Sequence, residues 1–154
     1  MFYIKLPFLW LHLLIRFFGA KKKEYEMDQD NTLKYRQCPF FKKTLSFAYL
    51  VIAFPEYRNL FYKRSGVLGR IMNFYLPGEK TFYIRTNPKK IGGGLLVKHG
   101  HSTELNADSI GQNCCIFQNV TIGSSKSPKD PQLEIMYCLE QVALLLAIFI
   151  LAIM

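Results

Sequence analysis

Residues 91–123 read IGGGLLVKHGHSTELNADSIGQNCCIFQNVTIG, and the spacing of their large side chains is unusual. The large aliphatics return neither every 3.6 residues, as on an amphipathic helix, nor every second residue, as on a half-buried strand. Ile91, Val97, Thr103, Ile110, Ile116 and Ile122 follow one another at intervals of six, six, seven, six and six. Gly follows Ile at positions 92, 111 and 123, and small or polar residues fill most of the gaps. This spacing predicts hexapeptide repeats, each making one short strand and a turn. Three such strands make one triangular coil of a parallel β-helix, with the aliphatic inside the prism and small residues at its corners. The seven-residue step predicts a bulge or small loop between Asn106 and Ser109. Hairpin strands with Gly turns are the competing reading, but hairpins do not produce a period of six.

Upstream, the character of the chain changes near Pro77 and Gly78. The opening MFYIKLPFLWLHLLIRFFGAKKK is broken by Pro7, His12 and Arg16. It is too short and too charged to span a bilayer and carries no small-residue cleavage site. It reads as a short helix packed on its own domain. Alternatively it lies in a membrane interface, with Trp10 and the phenylalanines toward lipid and Lys21, Lys22 and Lys23 on phosphates. Residues 21–37 are polar and read as a loop or an exposed helix end. Residues 41–54 read as a buried helix. Pro55 restarts the chain, as a first-turn proline can. PEYRNLFYKRSG, 55–66, is a second helix with basic residues in its last turn and Gly66 as its stop. VLGRIMNFYLPG, 67–78, is a third helical piece ending in a Pro-Gly turn. TFYIRT, 81–86, is β-branched and aromatic and therefore extended.

The whole chain has 154 residues, enough for one domain with a real core. Half of it is hydrophobic and 15% is aromatic, which excludes a disordered chain. The net charge of +9 favours an anionic partner, either a phosphate-bearing small molecule or an acidic membrane surface. Nucleic acid is disfavoured, because no recognition motif for it is present. Cys38, Cys114, Cys115 and Cys138 have neither zinc-ligand spacing nor a secreted disulfide pattern, so they read as free thiols in a reducing cytosol.

The segments IGGGLLVKHGHST and DSIGQNCCIFQNVTIG, with PEYRNLFYKR before them, carry a resemblance. From about Phe54 to Gly123 the chain resembles the left-handed β-helix acyltransferases, and specifically the serine acetyltransferases. The resemblance implies an α+β chain: a helical region over 1–80, a partial left-handed parallel β-helix over 81–123, and a tail over 124–154 outside the family pattern. It implies transfer of acetyl from acetyl-CoA, as cosubstrate and with no bound cofactor, to a serine hydroxyl in cysteine biosynthesis. It also implies a cytoplasmic homotrimer whose acetyl-CoA pocket lies between neighbouring subunits. A sugar hydroxyl in capsule or exopolysaccharide assembly is the alternative acceptor.

The family's catalytic histidine sits in a motif of aliphatic, polar, His and Gly or Ala. Here that is Val97-Lys98-His99-Gly100, which makes His99 the general base. A primary alcohol is a poor nucleophile until its proton is removed, and imidazole is the side chain suited to taking it near neutral pH. His101 extends the motif to His-x-His, but no third metal ligand is apparent, so it reads as a rim residue and no metal is expected. His12 has no functional reading. Where family members carry Asp-x-His-Pro before the β-helix, this chain has Arg85-Thr86-Asn87-Pro88. A carboxylate to orient His99 would have to come from Glu104 or Asp108.

After Gly123 the six-residue beat stops. SSKSPKDPQLEIMY and CLEQVALLLAIFILAIM follow, without Gly corners. The genetic code offers a reason. Read two bases later, Met136-Tyr137 must give valine, and Leu133-Glu134 can give glycine. The codons permitted from Pro131 onward include T-I-G-D-N-V-L-x-G-A-G-S, a hexapeptide continuation. A frameshift in the gene is the implied origin of the tail, and resequencing codons 124–131 tests it. Residues 91–123 make just under two coils, so the resemblance implies weak acetyl transfer or none from this polypeptide. A non-catalytic fragment that associates with membranes through its apolar ends is the reading from a different functional class.

Overall fold

The computed structural model describes residues 9–36, 42–123 and 132–133. Helix α1 (Trp10–Phe18) is stopped at Gly19, whose N–H bonds Ile15 O, and it buries His12, Ile15 and Arg16. Helix α2 (Lys22–Arg36) buries Tyr25, Asp28, Gln29 and Thr32. It corrects the reading of 21–37 as a loop or an exposed helix end. Its buried face is largely polar: Tyr25, Asp28 and Gln29 find partners in Ser65, Arg64 and Arg16, while Thr32 Oγ1 donates to Asp28 O within the helix. Helix α3 (Lys43–Ala53) buries Phe47, Leu50 and Val51 and ends beside Pro55, which disfavours helical geometry in the residue before it. Helix α4 (Pro55–Ser65) starts on that proline and stops at Gly66, whose φ of 63° suits glycine. Helix α5 (Val67–Tyr75) lies against α4 through Gly69. A Cβ there would stand 2.1 Å from Tyr62 O.

Two apolar clusters result. Phe47, Leu50, Phe61 and Met72, each at most 2% exposed, centre the helical one. Leu60, Leu95, Leu105 and Ile116 centre the other, together with Ile91, Val97 and Ile110. Helix α4 serves both, with Phe61 facing one and Leu60 the other.

The strands are two or three residues long: β1 (Phe82–Ile84), β2 (Leu96–Val97), β3 (Thr103–Leu105), β4 (Ser109–Ile110), β5 (Cys115–Ile116), β6 (Thr121–Ile122) and β7 (Gln132–Leu133). All pairing is parallel. Phe82 stands opposite Thr103, Glu104 opposite Thr121, Leu96 opposite Cys115, and Ser109 opposite Gln132. The sheets are β1-β3-β6, β2-β5 and β4-β7.

This architecture corrects the left-handed parallel β-helix expected over 81–123. The chain is α+β, with five helices and short strands in three small parallel sheets among the described residues. The six-residue spacing does mark inward positions: Ile91, Val97, Ile110, Ile116 and the polar Thr103 are buried, and Ile122 is half-buried. Among the described residues, however, each ladder gathers only two or three strands. Helix packing contributes to the strand core, with Leu60 of α4 inside it.

One ion pair ties the helices to the strands. Arg64 Nε and Nη2 donate to Asp28 Oδ2 and Oδ1 at 2.7 and 3.1 Å. The same guanidinium donates to Ile91 O and Gly92 O. Asp28 Oδ1 also accepts Gly94 N and Leu95 N at 2.9 and 3.0 Å. Burial pushes the Asp28 carboxyl up to about 6, while Arg64 and the two amides pull it down.

Of the tail, the backbone of 132–133 is described as β7; the rest of 124–154 lies outside the described residues, as do Cys38 and Cys138. Cys114 and Cys115 are buried. No helix among the described residues is long and apolar enough to cross a membrane.

Candidate functional site

His99 follows β2 at the point where the chain turns. Residues 91–98 and Gly100 are buried or half-buried, so His99 is the one exposed side chain from 91 to 100. Its neighbours are firmly held. Lys98 is 4% exposed, with its ammonium 4.7 and 4.3 Å from the ring centres of Tyr35 and Phe117. Arg36 Nη2 donates to Lys98 O and, at 2.7 Å, to Glu56 Oε1. Gly100 lies so close to α4 that a Cβ on it would meet Glu56 Cβ at 2.9 Å. Helices α2 and α4 therefore fix the backbone on both sides of His99 and leave its ring open to solvent.

The two carboxylates considered as orienters for that ring are engaged elsewhere. Glu104 pairs with Arg85 and Asp108 pairs with Lys90. The 85–88 segment is structural: Arg85 N and Thr86 N donate to Leu105 O, and Asn87 Oδ1 accepts Lys89 N to cap a 3-10 turn. No hydrogen bond holds the His99 ring among the described residues.

His101, read as a rim residue, is exposed and has the more elaborate surroundings. Its Nδ1 lies 3.1 Å from Thr81 Oγ1, which donates to Glu79 Oε1 at 3.0 Å and accepts Ser102 N at 3.0 Å. Its carbonyl accepts Asn119 N at 3.0 Å and Thr103 Oγ1 at 3.1 Å. The Thr81 amide and hydroxyl hold Glu79 below the usual carboxylate range. Helix α4 fixes the loop that carries Glu79 and Thr81. Asn59 Nδ2 donates to Glu79 O and Phe82 O, both at 2.9 Å, and Asn59 Oδ1 accepts Glu79 N at 2.6 Å.

Sequence reasoning did not find Glu79, Thr81 or Asn59. A Glu two residues before a Thr, following a Pro-Gly turn, is a local hydrogen-bonding signal. Nothing local ties it to His101, twenty residues on. His12 is fully buried beneath α4, with Nε2 3.0 Å from Tyr62 Oη. No group of three or more metal-ligating side chains occurs among the described residues.

A cleft of about 480 Å³ runs between α4, α5 and β1, with Lys63, Arg70 and Asn73 beside Val67, Phe82 and Ile84. Searches against family models and against curated proteins find no match for the chain.

Proposed function

We propose that this chain is an acetyl-CoA-dependent O-acetyltransferase of the serine acetyltransferase type, with His99 as the general base. The observation that carries the reading is the isolation of His99: a single exposed imidazole in a buried run, on backbone clamped by Arg36, Glu56 and the stacked Lys98. In the reaction, Nε2 or Nδ1 of His99 takes the hydroxyl proton as the oxygen attacks the thioester carbonyl carbon. The carbon–sulfur bond then breaks and CoA leaves as the thiol, receiving that proton. A positioned base of this kind is worth about 10²–10⁴-fold in rate.

The test is thiol release from acetyl-CoA with serine and with sugar acceptors. His99→Ala is expected to lower the rate about a hundredfold or more. Unchanged release by His99→Ala removes the base assignment, and the preferred acceptor separates the serine enzyme from a sugar O-acetyltransferase.

A second reading, contact with a membrane surface, is favoured by two helix faces. Trp10, Leu14, Phe17 and Phe18 on α1 are exposed, as are Val67, Leu68, Ile71, Phe74 and Tyr75 on α5. Lys22 and Lys23 at the start of α2, and Arg70 on α5, are exposed near them in sequence. Flotation with anionic liposomes tests this reading, and protein left entirely at the bottom of the gradient counts against it.

A further inference from the structure

We infer that Glu79 and Thr81 lock His101 as its Nδ1–H tautomer, and that the bare Nε2 is a fixed acceptor for a second donor group on the hydroxyl substrate: the ammonium of an amino acid or the neighbouring hydroxyl of a sugar. The binding half rests on the acyl-transfer reading above; the tautomer half does not.

The argument is an accounting of hydrogens. A threonine hydroxyl has one hydrogen to give and two lone pairs to receive with. Thr81 gives its hydrogen to Glu79 Oε1 at 3.0 Å. Glu79 is ionised at neutral pH, since the Thr81 amide and hydroxyl hold it low, and an ionised carboxylate only accepts. One Thr81 lone pair receives Ser102 N–H at 3.0 Å. The contact left, 3.1 Å to His101 Nδ1, can be satisfied only if Nδ1 carries the hydrogen. In a neutral ring the other nitrogen is then an acceptor. Nε2 has no partner among the described residues, and the residue is exposed.

The lock is braced from behind. Asn59 of α4 makes three hydrogen bonds to the 79–82 backbone. The His101 carbonyl receives two hydrogen bonds of its own. Ser102 accepts a φ of 49°, unusual for a residue other than glycine, in the turn that brings its N–H to Thr81. A ring held this way loses little freedom when it binds a ligand. Only Gly100 separates it from His99 in the chain, and the binding role requires an acceptor that reaches both imidazoles. Glu79 and Thr81 are positioning residues.

Long-range proton–nitrogen NMR on 15N-labelled protein reads the tautomer directly, with His101 assigned by its loss in His101→Gln. The expected pattern is Nδ1–H at a pH where the ring is neutral. It should persist in Thr81→Ser and give way to a mixture in Thr81→Val. An Nε2–H ring in the unmodified protein overturns the proposal. Serine or glucose, titrated into the labelled protein, should shift the Nε2 resonance, whereas 3-hydroxypropionate, which lacks the ammonium, should not. If neither serine nor glucose moves it at saturation, the binding role is wrong. In turnover, His101→Gln should raise KM for the preferred acceptor about tenfold with kcat nearly unchanged, the cost of one lost hydrogen bond; an unchanged KM also overturns it. Absence of thiol release from unmodified protein would instead defeat the acyl-transfer reading, leaving the two resonance experiments to decide this one.

Discussion

Two histidines stand two residues apart in different surroundings. His99 is open and its backbone is clamped, while His101 is held through its ring. The sequence makes the first easy to find, because its motif is contiguous. The second depends on β1 lying parallel to β3, with Phe82 opposite Thr103, so that Thr81 reaches His101. A glycine sits behind that arrangement. A Cβ at Gly78 would lie 1.9 Å from Asn59 Oδ1 and 2.7 Å from its Cγ. Gly78→Ala therefore pushes the amide out of its three hydrogen bonds with the 79–82 backbone. The expected cost is about 1–3 kcal/mol, the usual range for forcing atoms into a packed site. Denaturant melts would show a lower midpoint at unchanged slope, and the His101 resonances would broaden toward a mixture of tautomers. A midpoint equal to that of the unmodified protein would mean that Asn59 does not brace the loop.

At the level of elements, the readable features were those punctuated by Pro and Gly. Phe54-Pro55 and Gly66 divide the helical run into α3, α4 and α5 close to where the sequence suggests. The same approach failed at α2, whose inner face carries Asp28, Gln29 and Thr32 in place of aliphatics. Polar residues on a helix look solvated unless their partners are known, and those partners are Arg64, Arg16 and backbone groups up to 67 residues away. The six-residue beat marked which residues are inside, yet it could not specify how many strands each ladder would gather. Asp28 is where this hidden information matters most. Its side chain is 3% exposed and that of Arg64 is fully buried. Asp28→Asn keeps the shape but leaves the guanidinium without a counter-charge. Breaking one side of a buried pair typically costs about 3–5 kcal/mol. That loss would be read as a drop in the denaturation midpoint, with the 91–95 segment losing amide-exchange protection first. A shift of under about 1 kcal/mol, the ordinary value for a surface pair, would show that the clamp is not what joins helices to strands.

At the scale of the whole molecule, two helices present apolar side chains outward. Helix α1 buries His12 and Arg16 and exposes Trp10, Leu14, Phe17 and Phe18. Helix α5 exposes Phe74 at 92% and Val67 at 69%. The membrane contact proposed above would use these faces, with the net charge of +9 favouring an anionic surface. His12 links the two helices, its ring 5.9 Å from that of Tyr75. On the membrane reading, Phe18→Ser and Phe74→Ser together should abolish flotation with anionic vesicles. Stability should change by no more than about 0.5 kcal/mol per site, as expected where a side chain makes no buried contact. High salt should weaken binding, because the basic residues act through a screened field, whereas apolar insertion alone would not respond in this way. If the double variant floats as before, the faces are not the lipid contact. If instead the unmodified protein stays out of the vesicles and sediments as an oligomer that the double variant dissociates, then the body covering these faces is another copy of the chain.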